Sequence, residues 1–179
     1  MKMIECTTPE SRLILRSLVP SDRSEKYLSW LNDGEVQHYS RRRGRIFTMA
    51  DIDTFLTEAQ NSSDYFLAVI VKDTGVHIGN LSLNNLDTKN SSAEISIMMG
   101  NRDYWGKGLA TEAVELAIQV GFSQLGLHRL WAESPNPAFN AIMEKVGWVK
   151  EGVRREAFLL DGTYCDHICW SILAQEWKQ

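Results

Sequence analysis

The stretch "DYWGKGLATEAVELA", residues 103–117, sets two glycines, Gly106 and Gly108, and the cation Lys107 directly ahead of a helical pattern. From Ala110 onward, small or apolar residues recur at 113, 114, 117, 118, 121 and 125, with Glu112, Glu115 and Gln119 opposite. That period predicts a helix whose smooth, alanine-rich face packs close to a sheet. Glycine costs about 1 kcal/mol in a helix interior, so a pair at the helix mouth needs a local reason. The first N–H groups of a helix have no partner within it, and the helix dipole favours an anion there. Glycines let such an anion approach the backbone. The residues alone fit either a diphosphate cradle or a plain structural turn.

Just upstream, "AEISIMMG" (93–100) alternates. Ala93, Ile95, Ile97 and Met99 share one face; Glu94, Ser96 and Met98 share the other. This predicts a strand that runs into the glycine turn. Further out, "SRLILRSL" (11–18), "YFLAVIV" (65–71), "VHIGNLSL" (76–83) and "HRLWAES" (128–134) read as strands. Helices are predicted over 20–33, over 48–60 with Thr48 and Asp51 as a capping pair, and from Pro137 to Lys145, capped by Asn136 and ended by Gly147. "WVKEGVRREAFLL", the turn "DGT" and "YCDHICWSIL" predict a closing hairpin. The order implies one α/β (α+β) domain spanning 1–179, a central mixed sheet flanked by helices.

The length of 179 residues suits one core, and 44% hydrophobic with 23% charged residues is ordinary globular composition. A formal net charge of -4 gives no footprint for nucleic-acid binding. No apolar run approaches a membrane span, and "MKMIECTTPESR" lacks the pattern of a signal peptide. Three cysteines, an odd number, point to a reducing compartment, so a cytoplasmic location is expected. Cys165, His167 and Cys169 fall on one strand face, where neighbours lie roughly 6.6 Å apart, too far for a disulfide or one zinc ion. They are expected to pack, and no metal is expected.

Together "YWGKGLATEA", "NPAFNAIMEKVGW" and "EGVRREAFLLDGTYCD" resemble the GNAT superfamily of N-acetyltransferases, more narrowly its RimJ/RimL-like branch. The resemblance covers nearly the whole chain and implies a mostly antiparallel twisted sheet that uses acetyl-CoA as co-substrate. The family's turn, Arg/Gln-x-x-Gly-x-Gly/Ala, cradles the pyrophosphate; Gly108 and Ala110 match it, and Trp105 replaces the Arg or Gln. Trp105, Gly106, Lys107, Gly108, Leu109, Ala110 and Thr111 are thereby implied to bind the cofactor. A second motif, Asn-x-x-Ser-x-x-x-Tyr-Glu-Lys-x-Gly-Phe, is matched by Asn136, Glu144, Lys145 and Gly147. It implies that Asn136 holds the pantetheine arm. Met143 stands where many relatives carry a proton-donating tyrosine, and methionine has no proton to give.

Acetyl transfer to an amine needs a base, because a primary amine is mostly protonated at neutral pH. Glu94, in the strand before the turn, is the leading candidate; Glu133, at the end of the next strand, is the second. Either also fits a salt-bridged structural acid. The family's splayed strands imply that backbone N–H groups near Ile97, Met98 and Met99 hold the thioester oxygen. Tyr164 and Asp166, on one face of the last hairpin, are candidate acceptor contacts. Arg41 and Arg43, in the run "RRRGR", are candidate clamps for an anionic acceptor, or part of a solvated loop.

The expected activity is acetyl-CoA-dependent transfer to a protein N-terminal amine or a small amine, by a monomer or homodimer. A nucleotide-linked amino sugar or a polyamine is an alternative acceptor, and a non-catalytic acyl-CoA sensor is the alternative of another class.

Overall fold

The computed structural model describes residues 3–177; Met1 and Lys2 of the polar start, and Lys178 and Gln179, lie outside it. Its strands are β1 (Glu5–Cys6), β2 (Leu13–Ser17), β3 (Tyr65–Val71), β4 (His77–Asp87), β5 (Ser92–Met98), β6 (Arg129–Ser134), β7 (Val149–Leu160) and β8 (Thr163–Leu173). Among the described residues these form one sheet in the order β1-β2-β3-β4-β5-β6-β8-β7. Each neighbouring pair is antiparallel except β5 and β6. That one parallel step is made by the predicted crossover helix, α3 (Leu109–Gln119).

Period-2 alternation divides the core into two layers. In β3, Leu67 and Val69 join the large cluster that holds Ala113, Val114, Ala117 and Ile118 of α3, together with Phe139 and Met143 of α4 (Pro137–Lys145). Ala68 and Ile70 face the other way. They pack with Tyr27, Trp30 and Leu31 of α1 (Glu25–Asn32) and Ile52 and Leu56 of α2 (Met49–Asn61). The helices thus cover both faces. No helix among the described residues is long and apolar enough to cross a membrane.

The helix expected over 20–33 is divided. Asp22 accepts hydrogen bonds from Arg16 Nη1 and Nη2 (2.8 and 2.6 Å) and from the Val19 N–H (2.9 Å), closing a single 3-10 turn over Pro20–Asp22. Ser24 is then extended, with φ of -157°, and its Oγ accepts the Tyr27 N–H to start α1 afresh. Thr48 and Asp51 form the expected capping box of α2. α3 runs on into a π-helical turn, Val120–Gln124, where Gly121 lies against Leu130 of β6.

Candidate active site

β5 and β6 pair at only three positions, Ser92 with Arg129, Ala93 with Leu130, and Glu94 with Trp131. Beyond Glu94 the two strands splay, leaving the β6-facing edge of β5 without a strand partner. The wedge between them opens into a cleft of about 1200 Å³. Its walls come from β4 and β5, the turn into α3, the end of β6, the start of α4, and the loop between α1 and α2.

At one end lies the glycine turn. Gly106 and Gly108 both take the left-handed region, with φ of 71° and 76°, which explains two glycines in three positions. Gly108 is the N-cap residue of α3, so the N–H groups of Leu109, Ala110 and Thr111 have no partner inside the helix. The Trp105 indole N–H donates to the Met99 carbonyl (2.7 Å) and pins the turn to the end of β5. Glu112 accepts from the Arg12 and Leu13 N–H groups (2.5 and 3.0 Å) and from Arg12 Nε (2.9 Å), tying the start of α3 to β2.

Ile97, Met98, Met99, Trp105, Gly106, Gly108, Leu109, Ala110, Thr111 and Asn136 all line the cleft. Lys107 does not. Its ammonium lies 5.3 Å from the centre of the Tyr104 ring, and Arg12 Nη1 holds its carbonyl (3.1 Å). Asn136 caps α4 through its oxygen, which accepts the Ala138 N–H (2.9 Å). These free N–H groups, the glycine approach and the unpaired strand edge fit the diphosphate and pantetheine arm of acetyl-CoA.

At the other end stand the two carboxylates, in unlike environments. Glu94 is half-buried and accepts from Asn85 Nδ2 at 2.7 Å. Asn85 reaches it from a bulge in β4, where its φ is 51°. Burial pushes the Glu94 carboxyl above its ordinary pKa, helped by the neighbouring Glu133 and opposed by Asn85 and Arg41. Glu133 is saturated instead. Arg41 Nη2 meets one oxygen at 2.9 Å and Arg154 Nη1 meets the other. Burial works to raise the Glu133 pKa, but Arg154 and His167 outweigh it and hold the carboxyl below the usual range. A carboxylate fixed by two guanidiniums is a poor base. Glu94, with no cation hydrogen-bonded to it, is the better placed of the two for proton transfer, and Glu133 is held in ion pairs.

Three of the expected acceptor contacts lie elsewhere. Arg43 turns from the cleft to Asp161 (3.2 Å) and the Leu159 carbonyl (3.3 Å). Tyr164 is exposed and pairs across the hairpin with Leu159. Asp166 accepts the Glu156 N–H (2.8 Å) on the outer side, holding a bulge in β7. Strand alternation is the reason: His167, the next residue, faces inward and lines the cleft. His167 was expected only to pack. It is 3% exposed, its Nδ1 is 3.4 Å from Glu133 without a hydrogen bond's geometry, and neither ring nitrogen has a partner. Desolvation lowers its pKa, opposed by Glu133, so the ring is neutral near pH 7.

Sequence reasoning missed Arg154 and Phe158 as lining residues, while Arg42, within the arginine run read as a possible clamp, lines the cleft as well. The sequence signal for Arg154 was the cation pattern in "VRREAF". Met143, by contrast, is wholly buried in the core and does not line the cleft.

Comparison with known proteins agrees with this geometry. Residues 12–149 match the acetyltransferase (GNAT) domain. An N-acetyltransferase of Bacillus licheniformis, p20, is 31% identical over 175 residues, covering 93% of this chain and 95% of its own. The spermidine N-acetyltransferase of Vibrio cholerae, solved with CoA and spermine, superposes with a TM-score of 0.84 at 23% identity, covering 93% of this chain and 98% of that one. The ribosomal-protein-S5-alanine acetyltransferase of Vibrio fischeri gives a TM-score of 0.81 at 21% identity, covering 98% and 100%. With the splayed strands and the glycine turn in place, the chain belongs to the GNAT family of acetyltransferases.

Proposed function

We propose that the enzyme moves an acetyl group directly from the thioester of acetyl-CoA to a primary amine, with Glu94 as the base. The acceptor is a protein N-terminal amine or a small amine. When bound, acetyl-CoA supplies an activated acyl carbon and a thiolate that can leave. The N–H groups of Leu109, Ala110 and Thr111 hold the diphosphate through their free hydrogens. The Asn136 amide steadies the pantetheine arm, and N–H groups of the free β5 edge, from Ile97 to Met99, face the carbonyl oxygen. Glu94 takes the amine's proton, directly or through water.

One observation carries the reading. A half-buried carboxylate with a raised pKa and no cation bound to it stands where β5 and β6 part. Two neighbours of known structure share this fold, one solved with spermine and one named for an alanine of a ribosomal protein. The fold therefore leaves the acceptor open, with a polyamine or a nucleotide-linked amino sugar as narrower alternatives. Thiol release with a panel of amines tests transfer. Glu94→Gln should lower turnover about 10²–10⁴-fold at pH 7, and the loss should shrink at high pH, where more amine is already neutral. Near-normal turnover of that variant at pH 7 would remove Glu94 from the mechanism. Acetyl-CoA binding with no thiol release across the panel would make the chain a sensor.

A further inference from the structure

The acceptor end of the cleft carries three acids and three arginines that are unevenly paired. Its charged lining comprises Glu35, Arg41, Arg42, Glu94, Glu133 and Arg154. Around His167, two guanidiniums, Arg41 and Arg154, share the single carboxylate of Glu133. Both Glu133 oxygens are engaged, so an incoming ammonium finds no free carboxylate there. Glu94 is reserved for the reacting amine. Glu35 and Arg42, the two remaining charges, have no salt bridge among the described residues, and Arg42 acts on the Tyr27 phenol.

His167 adds the second observation. A buried imidazole with no hydrogen bond at either nitrogen, and only a long 3.4 Å approach of Nδ1 to Glu133, is costly unless a ligand completes it. Neutral, it offers one N–H donor and one acceptor nitrogen; the donor, beside the Arg41 and Arg154 guanidiniums, suits an anionic oxygen, while those like charges disfavour an ammonium at the acceptor.

We propose that the acceptor amine carries an anionic group, a carboxylate or a phosphate, seated on Arg41, Arg154 and the ring of His167. This rests on the direct-transfer reading for the fate of the amine but not for the binding of the anion. The reacting nitrogen then lies toward Glu94 and the anion toward β8. A polyamine is disfavoured because its remaining ammonium groups would face those guanidiniums.

The test is calorimetry on the CoA-saturated enzyme with matched ligands: O-phosphoethanolamine against ethanolamine, β-alanine against β-alaninamide, and spermidine. At least one anionic member should bind ten-fold or more tightly than its neutral partner, and added salt should erode the preference. The pair with the larger ratio tells phosphate from carboxylate. Arg154→Gln and Arg41→Gln, on exposed side chains, should each cut the preferred ratio three-fold or more, with folding checked by circular dichroism. Tighter or equal binding of the neutral partners in both pairs, or of spermidine, would overturn the proposal, as would a preference that survives both variants. Thiol release with the same amines is read separately: a binding preference without turnover supports the anion site and counts only against the transfer reading.

Discussion

Gly108 offers a clean test of the diphosphate cradle, because strain and charge can be separated there. Its φ is 76°, and a Cβ added to it meets only Arg12 Nη2 at 3.7 Å, so a side chain fits without collision. The left-handed backbone costs an ordinary residue about 1–2 kcal/mol, less for Asn and Asp, whose short polar side chains tolerate it. Gly108→Asn and Gly108→Asp therefore impose nearly the same shape and strain, and differ by one negative charge at the mouth of α3. Two unit charges 4 Å apart interact by about 4 kcal/mol near a protein surface and about 1 kcal/mol in bulk water. Gly108 is exposed, so the lower part of that range applies. The Asp variant should then bind acetyl-CoA at least ten-fold more weakly than the Asn variant, about 1.4 kcal/mol. Calorimetry at low and high salt measures both, and salt should narrow the gap. Equal affinities at low salt would mean that the diphosphate lies elsewhere.

Glu94→Gln should also be at least as stable as the wild type at pH 7. A carboxyl whose folded pKa is raised gives stability that is complete below about pH 4.3 and is lost as pH rises through the folded value, so removing it costs nothing at neutrality. Glu133→Gln should behave oppositely, since a lowered pKa gives stability that is present above about pH 4.3 and lost as pH falls through the folded value. Thermal melts at pH 7 and pH 3 check both, and a Glu133 variant equally destabilised at the two would refute the ion-pair account. Met143→Leu should cost under about 1.5 kcal/mol with turnover nearly unchanged, whereas Met143→Tyr should overpack the core by about 1–3 kcal/mol and gain no rate. Abolished turnover in a folded Met143→Leu protein that still binds acetyl-CoA would show that this side chain does more than pack.

Local signals carried far along this chain. The glycine turn, the alternation of 93–99 and the Asn136 to Gly147 bracket of α4 are each set by neighbours within a few residues, and each stands where the pattern places it. What stayed hidden depends on register. Period-2 spacing puts Cys165, His167 and Cys169 on one face, yet only the pairing with β7 decides which face meets the cleft. The same blindness sent Tyr164 and Asp166 to the wrong side. In a run of arginines, nothing local says which guanidinium turns inward, and the loop delivers Arg41 and Arg42 to the cleft while Arg43 goes to Asp161. The splay of β5 from β6 is likewise non-local, a failure of two strands to stay paired after Glu94.

That splay also explains why two similar carboxylates end in different environments. Glu94 sits at the last paired position, where the sheet still buries it but no cation reaches it by a hydrogen bond. Glu133 lies two residues beyond Trp131, on the diverging strand, where loop and hairpin both supply an arginine. One environment resists ionisation and the other enforces it, the kind of separation that lets like groups take unlike roles. The missing tyrosine at 143 fits the same geometry. The site is buried under α4, and the buried phenol of Tyr27, pushed up to about 12, is too weak an acid to serve in its place. A free thiol has a pKa near 8.5, so its thiolate is a tolerable leaving group at neutrality. On the proposed direct-transfer reading the demanding proton is the amine's, and Glu94 is the carboxyl proposed to take it.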